Sequence, residues 1–227
     1  MPTPDDARLF DFNDGNGPVP AHRHINPDGT LGGWVADTAR VYGDARVYGD
    51  ARVYGDARVS GDARVYGDAR VSGNARVYGD ARVYGDARVY GNARVSGDAV
   101  VSGDARVYGN ARVYGDAVVS GDAVVSGDAV VSDNARVSGN ARVSGNAKVH
   151  DLCTILWGRA GGYDWTAYPC ADDTVFLQYG CEAHPLSWWM EQTEALSLKH
   201  GEPAEHWRFP ASVIRMVSDT LTPPSAS

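Results

Sequence analysis

The sequence predicts a mainly β protein: a β-solenoid over about half of the chain, followed by a small α+β domain. Three observations predict it. Valine recurs every six residues from Val35 to Val149, twenty positions without a gap. Alanine stands two residues before nearly every one, from Ala39 to Ala147. Gly-Asp or Gly-Asn closes almost every unit, with Asp133 once in place of the glycine.

Each element of the unit Ala-Arg-Val-Tyr-Gly-Asp follows from elementary geometry. Side chains alternate along a strand, so Ala-x-Val places two apolar groups on one side and sends Arg and Tyr to the other. Glycine followed by Asp or Asn tolerates the positive φ of a tight corner. One unit is therefore a short strand and a corner. It cannot stand alone, because burying one valine contributes roughly 1.5–3 kcal/mol while ordering six residues costs roughly 6–12 kcal/mol. Stacked units share a core and ladder hydrogen bonds.

The flanking segments read differently. Residues 1–33 are rich in turn formers, as in "NDGNGPVPAHRHINPDGTLGG", and are expected to cover the open first coil of a solenoid spanning 34–150. Residues 151–221 read as a small α+β domain and 222–227 as a disordered tail. "LCTILWG", "DWTAYPC" and "TVFLQYGC" predict three strands. "PLSWWMEQTEALSLKHG" predicts a helix, with Pro185 in its first turn, a stripe of Leu186, Trp189, Met190, Thr193 and Leu196, and Gly201 at its end. A second helix is expected after Pro210.

The hexads resemble the hexapeptide-repeat family of left-handed parallel β-helices, the fold of the bacterial hexapeptide transferases. Val41-Tyr42-Gly43-Asp44-Ala45-Arg46 fits the family pattern at its aliphatic and small positions and departs at the second, where Tyr or Ser stands. The resemblance implies three strands per triangular coil, eighteen residues per turn, left-handed winding and about six and a half coils. "TILWGRAGGYDWTAYPC" and "QYGCEAHPLSWW" resemble the small domain that follows such arrays in phage and prophage proteins. That likeness implies a phage or prophage source and no particular activity.

Eighteen-residue stacking sorts the outward residues onto three faces. One carries Arg46, Tyr48, Arg64, Tyr66, Arg82 and Tyr84, the candidate binding ladder for a polyanion or aromatic ligand. The interleaved aspartates oppose phosphate, so nucleic acid is not an expected partner. Residues 40–150 carry a net charge of +2, residues 1–39 carry −4 and residues 151–227 carry −6. The bland alternative is a soluble, β-favouring surface. Valine replaces outward arginine at Val100, Val118, Val124 and Val130, which is either neutral use of a good strand former or a contact with another subunit.

Residues suited to chemistry are sparse. Acyltransferases of the resembling family use a histidine at a subunit interface, and between His24 and His150 the sequence has none. His150, in the Tyr/Ser position of the last unit, is the sole carry-over candidate for an acyl-CoA-dependent enzyme. His22 and His24 share one strand side, and Cys181 and His184 have metal-like spacing, yet each pair lacks partners, so no metal and no cofactor is expected. Three cysteines, an opening without signal-peptide features and no apolar run of membrane length lead to a cytoplasmic expectation without membrane association. The sequence therefore favours a non-enzymatic scaffold or binding module, either a homo-oligomer or a partner of a host or phage protein. The last coil carries Arg136, Arg142 and Lys148, so the acidic C-terminal segment is expected to cover it, with Trp157, Trp188 and Trp189 supplying apolar contact.

Overall fold

In the computed structural model, residues 8–150, 156–160, 163–169, 175–179, 182–189 and 217 are described. Nineteen two-residue strands run from β4 (Arg40–Val41) to β22 (Lys148–Val149), one per hexad. Every strand before the last coil pairs in parallel with the strand eighteen residues on: Arg64 with Arg82 and Val65 with Val83, Arg76 with Arg94 and Val77 with Val95. The pairing never slips, so the coil is a triangle of three ladders, in sheets of nine, seven and six strands, the nine including three strands that precede the array. The backbone bonds between coils are uniform, as in Arg64 N–H to Ala81 O at 2.9 Å and Tyr66 N–H to Val83 O at 3.0 Å.

The inward assignment holds along the array. The inward valines, at every sixth residue from Val47 to Val149, are fully buried, as are the alanines from Ala51 to Ala141. Val41, at the first rung, is half-buried. The corners explain the glycines. Gly115 has φ +70°, and a Cβ there would lie 2.8 Å from the backbone nitrogen of Asp133 one coil on. Positive φ and the close approach together exclude a side chain. Asp133 adopts φ 56° itself, and it stands in the last coil, where no further hexad stacks upon it.

Before the array, β1 (Arg8–Phe10), β2 (Val19–Ile25) and β3 (Leu31–Ala36) form an antiparallel meander. The last of these joins the nine-stranded ladder by pairing Trp34 with Arg52 and Val35 with Val53, in parallel with β6 (Arg52–Val53). Phe10 stacks on Trp34 at 4.2 Å and Phe12 on Tyr54 at 4.8 Å, burying Phe12. The segment thus extends one ladder and wraps its outer face.

After the array, β23 (Leu156–Ala160), β24 (Tyr163–Pro169), β25 (Val175–Tyr179) and β26 (Glu182–Pro185) form a separate antiparallel sheet. Helix α1 follows at Leu186–Trp189. The fourth strand was not expected: Glu-Ala-His-Pro carries no β-branched or aromatic residue, and Pro185 ends it instead of opening the helix. The remainder of the expected helix, with Met190 to Gly201, and most of the expected second helix lie outside the described residues.

Thr166 and Tyr168 join this sheet to the solenoid. Arg142 N–H donates to Thr166 Oγ1 at 2.9 Å, and Tyr168 is buried in the same apolar cluster as the coil valines. The expected tryptophans do other work: Trp189 donates Nε1–H to Leu177 O at 2.8 Å within its own domain, and Trp188 stacks on His184. The side chain of Trp157 lies outside the described residues.

Candidate functional site

The outward ladder of Arg46, Tyr48, Arg64, Tyr66, Arg82 and Tyr84 lies on the six-stranded face, in register. Tyr66 and Tyr84 stack at 4.8 Å with planes 9° apart. Burial, and then the neighbouring Tyr84, raise the Tyr66 hydroxyl above its ordinary pKa. Tyr48 is held differently, its hydroxyl donating to Asp28 Oδ2 at 3.0 Å. A second stack, Tyr90 on Tyr108 at 4.9 Å, lies on the nine-stranded face. At one corner an amide chain runs along the axis: Asn92 Nδ2 donates to Asn110 Oδ1 at 3.2 Å, and Asn110 Nδ2 donates to Asp128 Oδ1 at 3.0 Å.

The outward valines are spread around the coil. Val100 and Val118 are ladder neighbours on the six-stranded face. Val124, between Arg106 and Arg142, faces along the nine-stranded ladder, and Val130, between Arg112 and Lys148, along the seven-stranded one. One flat partner can therefore cover Val100 with Val118 but not all four.

The most structured polar site is the N-terminal end. Asn26 is buried, and its Oδ1 accepts the backbone N–H of Val47 at 2.8 Å. Its Nδ2 donates to Thr30 Oγ1 at 3.2 Å, and the Thr30 hydroxyl in turn donates to Asp28. The Thr30 bonds hold the Asp28 carboxyl below its ordinary pKa, with Tyr48 and Arg46 acting in the same direction. Gly32 and Gly33 allow this crossing: a Cβ at either would lie 2.0 Å from Val47 O or 2.2 Å from Ala51 O. In the sequence "NPDGTLGG" reads as turn formers; its paired glycines are the signal of a close backbone approach.

His22 and His24 point into one cleft of about 530 Å³ at this end. His22 Nδ1 bonds Asp37 Oδ1 at 2.9 Å, and His24 Nε2 lies 3.4 Å from Ala45 O. Burial lowers the His24 pKa most, the Ala45 carbonyl raises it and His22 lowers it further. His184 stacks on Trp188 at 3.7 Å, and Cys181 lies outside the described residues. His150 is half-buried at the end of the last coil. Among the described residues no three His, Cys, Asp or Glu side chains gather as metal ligands, and no helix is long and apolar enough to cross a membrane.

Residues 65–156 match the family model of Bactofilin, described as polymer-forming cytoskeletal. Residues 39–55 and 51–67 match the YdcK β-solenoid repeat. The chain is a β-solenoid similar to both. Among curated proteins none matches. Two X-ray structures from Caulobacter crescentus are similar over part of the chain: PerB, and a point mutant of perosamine N-acetyltransferase, each in complex with CoA and GDP-perosamine. Identity is 15%, with 52% of this chain and 50% of that chain covered and a TM-score of 0.23. The chain thus spans about half the length of these enzymes, and a likeness of that degree carries no argument about activity.

Proposed function

We propose that the chain is a non-enzymatic β-solenoid scaffold that self-associates side by side and acts through protein–protein contacts. The observation that carries the reading is the unbroken eighteen-residue register. It gives each face one chemical step per coil, and a surface with a fixed period is matched best by a second surface of the same period, another copy of the chain. The match to a polymer-forming family model over residues 65–156 supports self-association. The step from Val100 to Val118 is the place of closest approach, because two successive rungs there lack the arginines that would repel a partner's ladder. A cytoplasmic setting and a phage or prophage source belong to the same proposal and rest on the sequence alone.

Light scattering over a concentration series tests it. Val100→Arg with Val118→Arg restores the repeat consensus and should lower the molar mass, whereas Val124→Arg with Val130→Arg should change it less. A wild type that is monomeric at high concentration defeats the reading. Thiol release from acetyl-CoA with a panel of amines should show no turnover; specific turnover lost in His150→Ala would defeat it from the other side.

A further inference from the structure

Three ladders end at the N-terminal end of the solenoid, and two of them are closed. On the nine-stranded ladder, Trp34 N–H donates to Ala51 O at 2.9 Å. On the six-stranded ladder, Asn26 Oδ1 takes Val47 N–H and His24 Nε2 approaches Ala45 O. The seven-stranded ladder starts at β4. Its Arg40 and Tyr42 N–H groups donate to the next coil, to Ala57 O at 2.9 Å and Val59 O at 3.0 Å. By the same register the Val41 N–H and the Ala39 carbonyl face the other way, off the end. Among the described residues no hydrogen bond reaches either.

The open rung forms one wall of the 530 Å³ cleft, whose apolar floor is Val35, Ala39 and Val41. Val41 is half-buried, whereas the other repeat valines are buried. Arg40 and Arg58 are exposed beside it, and neither has an ion pair among the described residues. The nearby Asp37 carboxylate is engaged by His22. A donor, an acceptor, an apolar floor and two unpaired cations thus meet on one strand edge, the arrangement that strand addition uses.

We propose that this rung is a docking site for an extended acidic segment of a partner protein, which adds to β4 as a further strand. A partner carbonyl accepts the Val41 N–H, and a partner N–H donates to Ala39 O. Alternation along the added strand then sends one side chain inward onto Val35 and Val41 and its neighbour outward to Arg40 and Arg58. An acidic residue beside an apolar one satisfies both. A second copy of this end fits less well, because it would bring its own Arg40 and Arg58 against these. The site is distinct from the faces assigned to self-association, so failure of either reading leaves the other measurable.

The test is fluorescence anisotropy of the full chain with a labelled peptide of alternating Val and Asp, together with hydrogen exchange at the Val41 amide. Saturable binding with slowed Val41 exchange is expected, and the Val-Lys counterpart should bind at least about ten-fold more weakly. Arg40→Glu with Arg58→Glu should weaken the acidic peptide by a similar factor. Val41→Pro removes the free donor without breaking a bond between coils and should weaken binding while leaving the melting temperature near wild type. Absent binding, equal binding of both peptides, or affinity untouched by these substitutions overturns the proposal. Pairing of two copies through this end, abolished by Val41→Pro without any peptide, also overturns it by making the second copy the occupant.

Discussion

The backbone N–H of Val47 donates to the side-chain oxygen of Asn26 at 2.8 Å, where a preceding coil would have offered a carbonyl. The other end repeats the device. Thr166 Oγ1 accepts the N–H of Arg142 at 2.9 Å, where a following coil would have stood. An unfinished parallel ladder presents unpaired groups that recruit other strands. A single side-chain acceptor at each end removes one such group and fixes the segment that carries it.

Asn26→Ala should therefore destabilise the first coils. Leaving the Val47 N–H buried and unpaired costs about 1–3 kcal/mol. Urea unfolding should show a lower midpoint, and the Val47 amide should exchange faster. An unchanged midpoint with fast exchange would mean that water replaces the Asn26 oxygen, so that the bond orders the turn without stabilising the coil.

Val83 is fully buried, and its chain neighbour Arg82 is exposed. Val83→Asp places a carboxylate in a core of Val and Ala, where a buried charge without a partner is strongly unfavourable. Loss of soluble folded protein is expected. Arg82→Asp should change stability by roughly 0.5 kcal/mol or less, as surface substitutions commonly do. Soluble expression and circular dichroism of the two variants measure the contrast directly, and equal tolerance would contradict the core.

The Val83/Arg82 contrast was legible from letters alone, because Ala-x-Val repeated at six residues admits one inward side. The triangular stacking was legible only through resemblance; a six-residue period does not state how many units close a turn. The N-terminal end was half legible. A turn-rich cover was expected, but an Asn in "NPDG" looks like any turn former, and its partner Val47 lies twenty-one residues away. His22 and His24 line one cleft, yet their partners, Asp37 and the Ala45 carbonyl, come from segments that only the fold brings near. At the other end the tryptophans are the largest apolar residues of the sequence, while Tyr168, inside "DWTAYPC", is buried in the solenoid's apolar cluster and Phe176 packs against it.

Tyr168→Ala should cost about 3–5 kcal/mol, the range for deleting a buried aromatic. It should also open the last coil to a hydrophobic dye. Thr166→Val keeps the volume but removes the acceptor for Arg142 N–H, at about 1–3 kcal/mol. Thermal unfolding of both, with amide exchange at Arg142, separates packing from hydrogen bonding. If Tyr168→Ala unfolds its own sheet while the coils melt as in wild type, the sheet is an attached module and does not stabilise the ladder it touches.

The His24 imidazole makes the N-terminal end pH-sensitive, and the sign follows from its surroundings. Burial and the adjacent His22 favour the neutral ring, and together they outweigh the Ala45 carbonyl, so the folded pKa lies below the ordinary histidine value of 6.5. The unfolded chain therefore takes up the proton first as pH falls. Stability is fully present above 6.5, declines as pH drops through the folded pKa, and then levels off. His22, Arg40 and Arg58 line the same cleft, and Asp37 is bonded to His22. Denaturant midpoints measured from about pH 7.5 to about pH 5 should fall in the wild type. In His24→Gln, which keeps a donor for Ala45 O but cannot titrate, the fall should be reduced. Exchange at the Val47 amide, held by the neighbouring Asn26, should accelerate over the same interval. A midpoint that rises on acidification in the wild type and is flat in His24→Gln would mean that the charged ring gains more from Ala45 O than it loses by burial.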